Sequence, residues 1–135
     1  MSELRLHHVS LPVRDVAVSA AFYENLFGLE RLSRPDIPIP GVWLGCGDCE
    51  IHLVHNPQGT YRKKLQPDFC DVHFAFWTDD FEGIVTSLER KGFSADHPKD
   101  DAKWLMIMRE GISGFPQLYL LDPDRNTIEV NAKSK

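Results

Sequence analysis

At 135 residues, with 42% hydrophobic and 26% charged side chains, the chain has the composition of an ordinary soluble globular protein and enough length for a core without disulfides. Twenty acidic against fifteen basic residues give a net charge of -5, and with no basic run this argues against nucleic acid or another polyanion as partner. Small molecules or proteins remain as partners.

The first five residues, Met1-Ser-Glu-Leu-Arg, carry neither the basic nor the apolar region of a signal peptide, and no apolar run approaches membrane-helix length, so no membrane contact and a cytoplasmic address are expected. Residues 4–13 alternate as a strand: Val9, Leu11 and Val13 share one face, His8, Ser10 and Pro12 the other. Asp15 then caps a helix carrying Val16, Ala20, Tyr23, Leu26 and Phe27 at helical spacing, and Gly28 closes it. Short strands are expected near 29–34, 42–46 and 50–55, with a Pro-broken loop at 35–41. The three cysteines form no disulfide framework. Cys46-Gly47-Asp48-Cys49 reads as a two-residue hairpin turn with the cysteines facing each other, and no second C-x-x-C completes a zinc site. Residues 56–68, with Pro57, Gly59 and Pro67, read as a linker.

The plan then repeats. His73-Phe-Ala-Phe-Trp-Thr-Asp-Asp80 superposes on His8-Val-Ser-Leu-Pro-Val-Arg-Asp15 at an offset of 65, each histidine seven residues before an aspartate. A second helix follows, with Asp79 and Glu82 at capping-box spacing, Phe81, Ile84, Val85 and Leu88 on one face, and Gly92 as terminator. Strands are expected near 93–96, 115–121 and 127–131. The excess between Pro98 and Gly114 holds a segment, 102–110, read as a short helix between Asp101 and Gly111 from the spacing of Trp104, Ile107 and Met108, with a strand as the alternative; it is placed to close over a pocket. The reading is one domain over 1–135, with module 1 at 4–55, the linker at 56–68 and module 2 at 71–131.

Four polar residues occupy strand positions among apolar neighbours: His8, His52 between Ile51 and Leu53, His73 between Val72 and Phe74, and Glu129 between Ile128 and Val130. If the apolar neighbours pack on the helices, all four face the opposite, concave side. Each module contributes two, from its first and last strands, so pairing the modules brings them together. Burying them without a counter-charge costs several kcal/mol as an order of magnitude. A divalent cation removes that cost, and the donor set suits Zn, Ni, Fe(II), Mn or Co.

These stretches, together with Ala21-Phe-Tyr-Glu-Asn-Leu-Phe-Gly-Leu29 and Leu121-Asp-Pro-Asp-Arg-Asn-Thr-Ile-Glu129, resemble the vicinal oxygen chelate superfamily of glyoxalase I, fosfomycin-resistance proteins, methylmalonyl-CoA epimerase, extradiol dioxygenases and bleomycin-resistance proteins. The resemblance implies an α+β fold: two tandem βαβββ modules forming a cupped, barrel-like mixed sheet with the helices outside. It also implies a divalent metal held by His8, His73 and Glu129, with His52 at a fourth ligand position. Members of this length are often homodimers with sites between subunits, so His8 and His52 from one chain would join His73 and Glu129 from another. Arg125 departs from the pattern, since the family's Asp-Pro-Asp turn usually continues with Gly.

The implied chemistry is chelation of a small substrate through vicinal oxygens, with stabilisation of developing negative charge. A glyoxalase-type lyase or isomerase would use Glu129, loosened from the metal, as base and His52, if not a ligand, as proton shuttle, although glyoxalases place Glu where this chain has His52. An extradiol-type Fe(II) dioxygenase is the alternative, with Tyr119 as a further catalytic candidate. Gln117, Trp77 and Ser10 are expected to line the substrate pocket. A fosfomycin-type enzyme needs a cationic cradle, and the tail after Glu129 offers only Lys133 and Lys135. A non-catalytic drug-binding protein of the bleomycin-resistance type usually lacks the metal histidines. His55, His97 and Arg109 are read as solvated or rim residues, and His7 as facing away from His8.

Overall fold

Asp15 and Asp80, at matching positions of the repeat, both end a strand-to-helix connection by capping a helix. In a computed structural model, whose described residues are 2–133, the Asp15 carboxylate accepts from the Val18 backbone N–H at 3.1 Å and starts α1, Val16–Phe27. Asp80 does the same for α2, Phe81–Arg90, accepting from Gly83 at 3.0 Å. The cap of α2 is therefore Asp80, not the Asp79 that the capping-box spacing suggested; the repeat offset was the better guide. The helix ends differ. Gly28 closes α1 in the left-handed region at φ 64°, whereas α2 ends in a Schellman turn, with Gly92 N–H donating to Glu89 and Phe93 N–H to Leu88. Gly92, at φ 93°, supplies the positive dihedral this turn requires.

Each helix belongs to a βαβββ module. In the first, β1 (His8–Val13), β2 (Glu30–Leu32), β3 (Gly41–Cys46) and β4 (Cys49–His55) form a mixed sheet in the order β1-β4-β3-β2. β1 runs parallel to β4, and β3 antiparallel to it around the Gly47-Asp48 turn, which sets Cys46 opposite Cys49. In the second, β5 (His73–Thr78), β6 (Met106–Met108), β7 (Gln117–Leu121) and β8 (Thr127–Ala132) repeat the order as β5-β8-β7-β6. The fold is α+β with two four-stranded mixed sheets.

The chain divides into two compact units, Met1–Tyr61 and Arg62–Lys135. The stretch read as a linker is shared between them. Tyr61 donates to the Asn56 carbonyl at 2.6 Å and lies under the Arg14 guanidinium. Arg62 instead donates to Asp71, to the Gln66 carbonyl and to the Arg125 carbonyl. In the first unit Leu11, Val13, Ala20, Tyr23, Leu44, Ile51 and Leu53 are buried; in the second Phe81, Val85, Leu88, Leu105, Leu118, Leu120, Ile128 and Val130 are. Both sets follow the alternation expected of one apolar sheet face under one helix.

The excess in module 2 falls before β6, and the segment 102–110 is not the helix expected first; its second half takes the strand alternative. Residues 102–103 are turn and Trp104 makes a single bridge, with no helix, and Met106–Met108 pair with β7 as the strand equivalent to β2. Three residues cannot distinguish helical from alternating periodicity; the open edge of β7 decides. Phe93–Asp96 is likewise not a full strand and makes only the Ser94–Trp104 bridge. Val72, expected to pack beside Phe74, precedes β5 and is 87% exposed. Lys135, one of the two tail cations, lies outside the described residues, as do Met1 and Ser134.

Candidate functional site

The register of each sheet places the candidate side chains on the face away from its helix. In the first unit, Ser10 and Trp43 stand directly beside His52 on either side of β4. The His52 ring is buried between two others, stacked on Trp43 at 4.3 Å and on His8 at 4.0 Å. His52 Nε2 contacts Glu50 Oε1 at 2.8 Å. Glu50, two residues before His52 on the same strand, therefore shares its face. The hydrogen bond from His52, and secondarily the nearby imidazoles, hold the Glu50 carboxyl below its ordinary pKa. His7 does not face away. Its Nδ1 meets His8 Nδ1 at 2.8 Å and its Nε2 lies 3.9 Å from Glu50 Oε2. β1 begins at His8, so strand alternation does not constrain the residue before it.

In the second unit, Ala75 and Tyr119 flank Glu129 as Ser10 and Trp43 flank His52. Glu129 is buried. Its Oε1 lies 3.0 Å from His73 Nε2, and its Oε2 accepts from Gln117 Nε2 at 3.2 Å. Gln117 Nε2 also approaches Asn131 Oδ1 at 3.2 Å and the Tyr119 hydroxyl at 3.4 Å. Tyr119 is 3% exposed; burial, and then its hydrogen bond to the Glu129 carboxylate, raise the phenol above its ordinary range. Its ring lies 6.1 Å from His73 and 5.8 Å from Phe69.

The other side of His73 settles its tautomer. Nδ1 lies 2.8 Å from the Asp71 carbonyl oxygen, which only accepts, so Nδ1 carries the hydrogen. A neutral imidazole then presents a lone pair at Nε2 towards a carboxylate oxygen, and two acceptors face each other at 3.0 Å. A proton or a cation between them resolves that conflict. The arrangement is that of a metal-binding histidine whose second nitrogen is tied to a backbone carbonyl, so His73 and Glu129 fit a divalent ion.

Among the described residues, no group of three His, Cys, Asp or Glu is placed to hold a metal. The four candidate ligands form two pairs, His8 with His52 and His73 with Glu129, one in each unit. Ser10 lines a cavity of about 340 Å³ with Pro12, Val54, Asn56, Gly59 and Thr60. Trp77 is 54% exposed, edge-on to Phe115. Phe115, Pro116 and Arg109 line a cavity of about 710 Å³ at the start of α2, but Glu82 binds Arg109 through two hydrogen bonds. His97 donates to the Gly92 carbonyl, and Cys49 donates to the Leu6 carbonyl.

Sequence reading missed Glu50, Trp43 and His7. The first two were available: the Gly47-Asp48 turn fixes His52 opposite Trp43, and strand period puts Glu50 beside it. Among the described residues, no helix is long and apolar enough to cross a membrane.

Residues 5–130 match the model of the Glyoxalase/Bleomycin resistance protein/Dioxygenase superfamily. Over 96% of its length the chain is 29% identical to the glutathione transferase FosA of Serratia marcescens, covering 81% of that protein. It is also 29% identical to glyoxylase I 4 of Arabidopsis thaliana, across 93% of this chain and 68% of the relative. The crystal structure of a lactoylglutathione lyase from Agrobacterium tumefaciens superposes with a TM-score of 0.67 at 23% identity, covering 98% of this chain and 96% of that one.

Proposed function

We propose, from the premise that this chain belongs to the Glyoxalase/Bleomycin resistance protein/Dioxygenase superfamily, that it is a metal-dependent lyase or isomerase of the glyoxalase type. Its substrate is a small molecule offering two vicinal oxygens. The site forms in a cytoplasmic homodimer, from His8 and His52 of one protomer with His73 and Glu129 of the partner subunit. The observation that supports this reading is the 3.0 Å contact of His73 Nε2 with Glu129 Oε1, made while Nδ1 is tied to the Asp71 carbonyl, an arrangement that a divalent ion fits.

A divalent ion bound there supplies Lewis acidity towards negative charge developing on a substrate oxygen. Glu129 takes a proton from the substrate carbon and returns it to the neighbouring carbon. The Tyr119 hydroxyl and Gln117 amide keep the carboxylate oriented, and the raised pKa of Tyr119 keeps it a donor. His52 completes the ligand set or, where it does not bind the ion, shuttles protons at the other end of the chelated pair. Ser10 and Trp77 border the substrate. Strands β5–β8 contain no lysine or arginine, which supports a substrate without a phosphonate.

An extradiol Fe(II) dioxygenase is the second reading, favoured by Tyr119 standing against both His73 and Glu129. Metal analysis of protein purified without added metal, with thermal shifts for Ni, Zn, Mn, Co and Fe(II), tests the site: metal bound by wild type and lost in His73→Ala is expected. No metal in wild type refutes it and favours a non-catalytic drug-binding protein; equal metal in both refutes the placement of the site. Assays on hemithioacetals, acyl-CoA epimers and catechols with and without oxygen separate the two enzymes.

A further inference from the structure

We infer that Glu50 is a positioning residue which, directly for His52 and through His7 for His8, fixes the nitrogen each imidazole leaves open. Nothing in the strand ladder requires an acid at position 50, yet its two carboxylate oxygens face two different histidines. Oε1 lies 2.8 Å from His52 Nε2. An ionised carboxylate only accepts, so the hydrogen sits on His52 Nε2 and Nδ1 is the open nitrogen. The ring cannot turn over to reverse this, because Trp43 and His8 stack on its two faces.

The second oxygen acts at longer range. Oε2 lies 3.9 Å from His7 Nε2, beyond a hydrogen bond but close enough to favour a hydrogen on that nitrogen. His7 Nδ1 is then an acceptor, and its 2.8 Å contact with His8 Nδ1 is a hydrogen bond donated by His8. That leaves Nε2 of His8 open. One carboxylate thus sets the tautomers of both imidazoles that the first module contributes, much as the Asp71 carbonyl sets His73 in the second. Carboxylate-to-histidine contacts of this kind raise ligand basicity and fix ring orientation.

What the open nitrogens are for rests on the proposed metal site; the tautomers themselves do not. Long-range proton–nitrogen NMR spectra of the metal-free full chain, at mildly alkaline pH where free histidine is neutral, read them directly. Wild type is expected to show a slowly exchanging proton on His52 Nε2 and the Nδ1–H form of His8. Glu50→Gln retains the His52 proton, because the amide oxygen still accepts, and Glu50→Ala loses it. His7→Ala leaves His52 unchanged and releases His8 to the Nε2–H form, which keeps the inference testable if Glu50→Ala does not fold. Metal affinity, by competition titration, falls about 10- to 100-fold in Glu50→Ala and recovers in Glu50→Gln. A His52 Nε2 proton absent from wild type, or retained in Glu50→Ala, overturns the inference. The expected tautomers in a wild-type protein that binds no metal uphold the positioning role and overturn the metal reading.

Discussion

Replacing Tyr119 by phenylalanine separates two contributions of one hydroxyl that change differently with pH. At neutral pH the hydroxyl donates to the buried Glu129 carboxylate, a class of bond worth about 1.5–3 kcal/mol. Glu129 keeps its contacts with His73 and Gln117 in the variant, so a loss of about 1 kcal/mol is expected. At alkaline pH the sign turns. Burial and Glu129 raise the folded-state pKa of the phenol, so its contribution is fully present below the unfolded value of about 10 and is lost as pH rises above it. One unit above that value, ionisation in the unfolded chain favours unfolding by about 1.4 kcal/mol. Urea denaturation of both proteins near pH 8 and near pH 11 reads the difference; the other ionisable groups largely cancel in it. Wild type should be the more stable at the lower pH and the gap should close or reverse at the higher. A constant gap would refute the account of Tyr119 as a buried phenol beside an ionised carboxylate.

Asp80→Ala should cost about 1 kcal/mol through the lost cap, and Asp79→Ala much less; equal thermal shifts would restore Asp79 as the cap. Arg125 takes φ 67° itself, a left-handed conformation that favours glycine. Arg125→Gly should be neutral or stabilising by up to about 1 kcal/mol, and Arg125→Val destabilising by more than that, measured by thermal unfolding. Cys49→Ala should leave metal content unchanged, because its thiol is occupied with the Leu6 carbonyl.

The duplication was the most legible part of the chain, because its signal is a spacing rather than a propensity. The offset of 65 between His8 and His73 carried Asp15 onto Asp80 and α1 onto α2, whereas the local capping-box match at Asp79 pointed one residue early. It fails after α2, where the longer connection shifts the register, and there the sequence left helix and strand open. Trp104, Ile107 and Met108 fit a helix in a short window, but the edge of β7 recruits Met106–Met108 as a strand. Alternation along β1, β4, β5 and β8 was enough to put His8 beside His52 and His73 beside Glu129. Glu50 and Trp43 needed only the hairpin register to be carried two residues further. His7 was not legible, since its orientation depends on where β1 begins, and strand ends are set by neighbouring chain rather than by local pattern.

The claim that two pairs of ligands from different protomers make one site is tested most directly by complementation. His8→Ala/His52→Ala and His73→Ala/Glu129→Ala chains, differently tagged and co-expressed, form a heterodimer in which one site has lost all four ligands and the other has kept all four. Metal content of the purified heterodimer should be about one ion per dimer, against about two for wild type and none for either variant alone. A heterodimer without metal, from chains whose wild-type parent binds it, would contradict a site shared between protomers.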